Sequence, residues 1–391
     1  MSAALDCRHF GDCGGCDRLD VPYPVQLARK RDAVAALLAP WLDGRGVDCE
    51  FPPHAPRHAR TKLSWPVRAS RDGRAVTGMF RRGSHELVAI EECRLQDQLL
   101  TRWQKRAQDV LRLLGLPGYD EVRGEGVVRA LHARLMPRSG ELLLGVTTSG
   151  GVFPQGRALA EGLLECAQGL RDHQGRRLVP VGVVRSILDE PGNALLGSRH
   201  LALLGRDHQI ERCGGIDFRV SFASFWQSHR DADALLYRQA LAMLGDVTGC
   251  EIVDGYGGVG AFGLRLAKAG AKRTTIVENH ASACADARWS AQHAGLGGVK
   301  IATTAFDDFP CEVPVDVAVV DPPRKGLGDG GVATLARMAP KRLLYVACSP
   351  QALAKDLAGL SACGYSLTAA RVVDLFPHTE HVETVAMLER A

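Results

Sequence analysis

Nowhere in the 391 residues does an apolar run approach the ~18–20 residues that a membrane-spanning helix requires. The first fifteen residues are polar, glycine-rich and cysteine-bearing, without the basic-then-apolar order of a secretory leader. Internal repeats and low-complexity tracts are missing. Aromatic residues are scarce at 6%, but 46% hydrophobic and 24% charged residues match an ordinary globular chain, which excludes wholesale disorder, collagen and coiled coil. At ~100–200 residues per domain the length predicts two or three domains. The expectation is a cytoplasmic, monomeric protein with no membrane attachment.

A reducing cytoplasm changes how the twelve cysteines are read, because it favours ligation, catalysis or burial over structural disulfides. The net charge of +4 is also unevenly spread. Between Arg57 and Arg82 stand Arg57, Arg60, Lys62, Arg68, Arg71, Arg74, Arg81 and Arg82 against the single acid Asp72, so this segment is +7 and the remainder of the chain −3. Such concentration is the footprint expected for a polyanion partner.

Three regions are expected. Residues 1–20 read as a ligand-bearing loop, with Phe10-Gly-Asp-Cys-Gly-Gly-Cys16 at its centre. Residues 21–212 read as a mixed α+β domain: a helix at Val25 to Leu42, an irregular Phe51-Pro-Pro-His-Ala-Pro break, strands at Leu63 to Val67 and Leu87 to Ile90, a helix at Leu99 to Leu114, and a hairpin from Val127 to Ser149. Arg206 to Gly215 is the expected linker. Residues 213–391 alternate strand and helix, which predicts a doubly wound α/β sheet, with the closing strands Leu367 to Phe376 and His381 to Leu388 antiparallel across a short turn.

Ligands of such sheets sit at the carboxyl ends of the strands. After the first strand comes Asp254-Gly-Tyr-Gly-Gly-Val-Gly-Ala-Phe-Gly263, a loop that lets a nucleotide approach a helix N-terminus, and Glu278 ends the next strand where an acid meets ribose hydroxyls. Gly258-Val-Gly260-Ala-Phe-Gly263 also satisfies a dinucleotide fingerprint, so a nicotinamide enzyme remains a rival on these residues. Further strands end in Asp321-Pro-Pro-Arg-Lys-Gly326 and in Leu344-Tyr-Val-Ala-Cys348-Ser-Pro350, and the last turn is Asp374-Leu-Phe-Pro-His-Thr-Glu-His-Val-Glu383. A cysteine before a helix N-terminus and an acid-base cluster at the same sheet end suit one reaction in particular. Carbon 5 of uracil becomes nucleophilic only after a thiolate adds to carbon 6, and a base must then remove the carbon 5 proton. Cys348 and Glu383 take those two roles in this reading.

Together with Ser224-Phe-Trp-Gln227, these stretches resemble the RNA (uracil-5-)-methyltransferase family across the whole final domain. The resemblance implies a Rossmann-like fold binding S-adenosylmethionine through Gln227, Tyr256, Glu278 and Asp321, with Cys348 as nucleophile and Glu383 as base. Three positions depart from the family pattern: His229 stands for an asparagine, Gly257 for a cysteine and Ala261 for another asparagine. Cys7, Cys13 and Cys16, with Cys93 as a fourth thiol, suit either zinc or a [4Fe-4S] cluster by spacing alone. Here the resemblance implies the cluster, since iron-sulfur members that modify 23S rRNA carry this arrangement, followed by a basic stretch similar to His58-Ala-Arg60-Thr-Lys62. The tRNA T-loop is the alternative substrate, and a non-catalytic RNA-binding protein the alternative class. Arg81 to Ser84 and His85 are further candidate RNA contacts. Cys49, Cys166, Cys213, Cys250, Cys284, Cys311 and Cys363 are read as packing residues.

Overall fold

The computed structural model describes residues 5–50, 56–70, 72–172, 175–311 and 314–390. The irregular stretch at 51–55 and Arg71 of the basic run lie outside them. The chain runs α1 (Tyr23–Leu42), β1 (Asp48–Cys49), β2 (Lys62–Ala69), β3 (Ala75–Phe80), β4 (Leu87–Ala89), α2 (Gln98–Leu113), β5 (Val128–Leu135), β6 (Glu141–Thr148), α3 (Gly156–Ala167), β7 (Val179–Ile187), β8 (Arg199–Gly205), β9 (His208–Cys213) and β10 (Ile216–Ser221). A π-helical turn at Asp233–Tyr237 leads into α4 (Arg238–Leu244). Then follow β11 (Glu251–Gly255), α5 (Gly263–Lys268), β12 (Arg273–Glu278), α6 (Ala281–His293), β13 (Val299–Thr303), β14 (Val317–Val320), α7 (Gly328–Met338), β15 (Arg342–Ala347), α8 (Pro350–Ala362), β16 (Tyr365–Val373) and β17 (Glu383–Arg390).

Two large sheets organise these elements. The first has the order β4-β3-β2-β5-β6-β7-β8 and is covered by α2 and α3. Trp103 of α2 is fully buried there, its indole N–H donating to the Leu163 carbonyl at 3.1 Å, which satisfies the polar end of a large apolar side chain. The second has the order β1-β16-β17-β15-β14-β11-β12-β13 and is parallel except for β17, which runs against both of its neighbours. In β14, Val317-Ala-Val-Val320 is buried at every position, the unbroken apolar run expected of a strand covered on both faces. The α/β architecture read from the alternation is therefore present, with the antiparallel last strand.

Three features differ from the sequence reading. The sequence places a helix at Val25 to Leu42 in the central region, but Val34, Leu38 and Leu42 of α1 bury one stripe in the core of the second sheet, and Asp48 and Cys49 pair with Arg371 and Val372. Apolar spacing predicts the helix without saying which sheet its stripe will meet. Arg206 to Gly215 is largely strand: β9 and β10 form a hairpin whose Ser221 N–H and hydroxyl donate to the buried carboxylate of Asp286 in α6, both at 2.7 Å. Finally, Val299–Thr303 adds an edge strand beside β12 that the reading did not include.

Candidate active site

Register brings the nucleophile and base candidates together. Ala347 of β15 pairs with Thr384 of β17, so the next residue outward on one strand is Cys348 and on the other Glu383. Glu383 is only 4% exposed and its Oε2 has no hydrogen-bond partner. Burial, and then the nearby Asp321 carboxylate, push the Glu383 carboxyl well above its ordinary range, while Arg324 pulls it back. The Cys348 thiol is raised by burial and by Glu383 and Asp321, again opposed by Arg324. Asp321, just past β14, is itself raised by burial. Three acidic groups, Cys348, Glu383 and Asp321, thus share one end of the sheet, and Arg324 is the cation that acts on Cys348 and Glu383. The sequence presents Arg324 only as part of the Asp321 to Gly326 loop. Nothing local marks it as the charge that both Cys348 and Glu383 feel.

The loop carrying Asp321 to Gly326 is held at its far end by Asp356 of α8, which accepts from the Leu327 N–H (2.7 Å) and from the Tyr345 hydroxyl (2.7 Å). On the cofactor side, Glu278 at the end of β12 accepts the N–H groups of Gly258 (2.9 Å) and His280 (2.7 Å), which ties the glycine loop to the second strand. Asp254 accepts the Gly263 N–H at 2.7 Å through one oxygen, and its other oxygen is buried without a partner. Burial first, with Asp321 and Glu278 adding, raises the Asp254 carboxyl to about 7. Tyr256 takes a left-handed φ of 57° and donates its hydroxyl to Asp307 at 3.2 Å. Gly257, where the family pattern has cysteine, has no room for a side chain: a Cβ would lie 2.5 Å from Ile276 Cγ2. Gln227 lies in the segment between β10 and the π-helical turn, 7% exposed. Two residues on, His229 accepts the Asp231 N–H through Nδ1 (3.1 Å), its Nε2 is buried and unpartnered, and burial lowers its basicity.

The turn between β16 and β17 is anchored by the other end of the chain. Asp374 forms a buried ion pair with Lys30 of α1 (2.8 Å) and accepts the Tyr23 hydroxyl (2.9 Å). The His378 carbonyl accepts the N–H groups of Asp17 (2.9 Å) and Arg18 (3.0 Å), one residue beyond Cys16. Lys30 was invisible to sequence reasoning, since 344 residues separate it from Asp374.

Cys7, Cys13, Cys16 and Cys93 all line one cavity, with Arg60, Phe10, Trp65 and Met79 among its walls. The Gly15 N–H points at Cys13 Sγ (3.4 Å) and the Gln96 N–H at Cys93 Sγ (3.2 Å). Burial raises the thiols of Cys13, Cys16 and Cys93, Cys16 to about 12, where Cys93 and Cys13 add to the rise and Arg60 opposes it. Among the described residues no group of three His, Cys, Asp or Glu side chains is drawn tightly enough to hold a single metal ion.

The basic run is less free than its charge count predicts. Arg68 pairs with Glu121, Arg74 with Asp72, Arg81 with Asp12 and Glu86, and Arg82 with Asp17. Most of these acids come from other segments, so counting charges within residues 57–82 could not include them. The guanidinium groups of Arg57 and Arg60 and the ammonium of Lys62 have no such partner among the described residues. His85 sits between Glu121 (2.9 Å) and Asn193 (2.7 Å).

A model of the tRNA (uracil-5-)-methyltransferase family matches residues 300–391, the stretch that carries Asp321, Cys348 and Glu383. Along nearly its whole length the chain is similar to uncharacterized RNA methyltransferases. It is 33% identical to one from Nitratidesulfovibrio vulgaris over 98% of this chain and 82% of the relative. It is 32% identical to one from Gloeobacter violaceus over 97% and 81%. Its fold is similar to that of the Pyrococcus abyssi tRNA (uracil-54, C5)-methyltransferase solved with S-adenosyl-L-homocysteine, with a TM-score of 0.75, 23% identity, and coverage of 96% of this chain and 86% of that one. The chain therefore belongs to the RNA (uracil-5-)-methyltransferase family.

Proposed function

We propose that this chain methylates carbon 5 of a uridine in 23S rRNA, with Cys348 as nucleophile and Glu383 as base. The observation that carries the reading is the adjacency of these two side chains at the outer end of the β15–β17 ladder, with the unpartnered Oε2 of Glu383 buried there. Cys348, once it has lost its proton, adds through Sγ to carbon 6, and the carbon 5–carbon 6 π bond breaks so that its electron pair is shared by carbon 5 and the neighbouring carbonyl oxygen. S-adenosylmethionine, when bound, supplies the electrophilic methyl group and leaves as S-adenosylhomocysteine. Glu383 then takes the carbon 5 proton, and the sulfur–carbon 6 bond breaks to restore the ring. Arg324 keeps both acids within reach of ionisation in a buried site.

The residues present fit the methyl donor. The glycine loop leaves backbone free for close approach, Asp254 has a buried oxygen in need of a donor, and Glu278, Tyr256, Gln227 and Asp321 are assigned to hold the nucleoside and amino-acid ends. They also fit a [4Fe-4S] cluster, whose four irons hold their sulfur ligands further apart than one metal ion does. Four thiols around one cavity supply that donor set. Such a cluster would fix residues 5–20 against β2, β3 and the turn preceding Glu383. The first sheet, with Arg57, Arg60 and Lys62 unpaired, is assigned to RNA.

The deciding experiment is tritium release from unmodified transcripts labelled at carbon 5 of uridine, with and without S-adenosylmethionine. Donor-dependent release from 23S rRNA is the expected result. Release from tRNA alone would move the substrate to the T-loop, and no release from either would remove the nucleophile role of Cys348.

A further inference from the structure

A second cavity, sharing no residue with the catalytic set or the cysteine cavity, opens where the first sheet meets the β10 hairpin. Lys62, the first residue of β2, reaches into it, walled by Leu63, His132, Arg134, Leu196 and Phe222. No Asp or Glu lines it. The Lys62 ammonium makes no hydrogen bond or ion pair with any described residue, and burial together with Arg134 lowers it to about 8.

Arg134 does not provide a counter-charge and has none bonded to it. It donates only to neutral acceptors: Gln209 Oε1 (2.8 Å) and the carbonyls of Ser224 (3.0 Å), Val220 (2.9 Å) and Ser221 (2.9 Å). The carboxylate felt there, Asp286, is already occupied by Ser221, Ser224 and Arg219. His132 lies between Ser64 Oγ (3.1 Å) and Thr147 Oγ1 (2.8 Å), and burial keeps it neutral. Two adjacent cations in a half-buried, acid-free setting cost stability unless an anion arrives from outside.

Size and position say what that anion is. The cavity admits little more than a water-sized group, enough for one anionic oxygen and too small for a base. The preceding residue, Thr61, donates its N–H to the Ser228 carbonyl at 2.7 Å, so Lys62 is fastened to the loop that carries Gln227 and the 64% exposed Phe225. We propose that Lys62 receives a non-bridging phosphate oxygen of a nucleotide next to the uridine in the catalytic cleft, with Arg134 adding its field from behind. This rests on the RNA methylation reading above.

The test compares wild type with Lys62→Gln and Lys62→Arg, using a short fluorescein-labelled oligouridylate titrated at several KCl concentrations. Lys62→Gln is expected to weaken binding about tenfold at low salt and to flatten the slope of log affinity against log salt by about 0.7, the contribution of one phosphate on a single strand. Lys62→Arg keeps the slope. The melting temperature of Lys62→Gln should equal or exceed that of wild type, because an unpaired buried cation has been removed. Unchanged affinity and slope would overturn the proposal. So would inorganic phosphate raising the melting temperature of wild type, but not of Lys62→Gln, while the two RNA slopes coincide, since that marks a free-anion site. If wild type methylates no uridine yet the slope difference persists, the functional reading fails and the phosphate contact stands.

Discussion

Gln26 holds His378 from two sides: its side-chain oxygen accepts the His378 backbone N–H at 3.1 Å, and its side-chain nitrogen lies 3.2 Å from His378 Nδ1. With Tyr23 and Lys30 on Asp374, three residues of α1 therefore fix the turn that delivers Glu383 to the site. His378 has a positive φ of 64°, a conformation that a non-glycine residue keeps only when its surroundings impose it.

Removing Lys30 should be more damaging than its single ion pair suggests. Both partners are nearly fully buried, so Lys30→Met leaves Asp374 charged and under-solvated, at a cost of about 3–5 kcal/mol in urea unfolding. Combining it with Asp374→Leu should recover part of that loss. If the single and double variants unfold at the same urea concentration, the pair is not what holds the turn.

Cys348→Ala should abolish methyl transfer while leaving S-adenosylmethionine binding intact by calorimetry. Glu383→Gln should slow turnover by about 10²–10⁴-fold and accumulate a covalent protein–RNA adduct, visible as a shifted band on a denaturing gel, because the carbon 5 proton stays in place. Normal turnover by Glu383→Gln would assign the base elsewhere.

The pH profile should tilt toward alkali. Burial and two carboxylates raise the Cys348 thiol, so the thiolate fraction, and with it kcat/KM, is expected to climb with pH above neutrality. Arg324 lowers both Cys348 and Glu383, so Arg324→Met should shift the whole profile to higher pH and Arg324→Lys should restore most of it. A profile that Arg324→Met leaves in place would show that Arg324 does not act on these groups.

Asp254 predicts a stability effect with a definite sign. Its carboxyl is raised to about 7, so between the unfolded value of 3.8 and that point the folded chain holds a proton the unfolded chain has released. The resulting stability is present in acid and lost as pH rises through the folded value. Asp254→Asn lacks this dependence, so its melting temperature without methyl donor should gain on wild type from about pH 5 to about pH 8, overtaking it by a few degrees. Parallel curves would mean that Asp254 ionises normally.

Cluster loading should depend on all four thiols. Protein purified without oxygen is expected to carry about four irons and to absorb broadly in the visible, and Cys93→Ser should lose both. Stoichiometric zinc with no visible absorption would replace the cluster with a tetrathiolate ion.

Much of the second sheet was legible because its signals are local. Val317-Ala-Val-Val320 and Leu343 to Ala347 are apolar runs, and the strands that contain them end just before Asp321 and Cys348, where the sequence places those strand ends. Cys348, Asp321 and Glu383 could be read because each directly borders such a strand. What escaped depends on long-range pairing: the sheet that α1 joins, the ion pairs that occupy Arg68, Arg81 and Arg82, and the position of Arg324 between two acids. None of these leaves a periodicity or a spacing in the chain. Arg206 to Gly215 reads as a linker in the sequence, yet it holds β9, and Gly214 and Gly215, both with positive φ, form the turn into β10.

Asp48 meets Arg371 across 323 residues of chain. During synthesis, α1 leaves the ribosome some three hundred residues ahead of β16, which forms part of its docking surface. Its apolar stripe at Val34, Leu38 and Leu42 must wait without that surface while the intervening strands are made. Closing so large a loop also makes this packing a late event after release. A ribosome stalled before β16 would carry a first sheet able to form from consecutive strands and a helix with nothing to bind, the kind of nascent chain that a holding chaperone recognises.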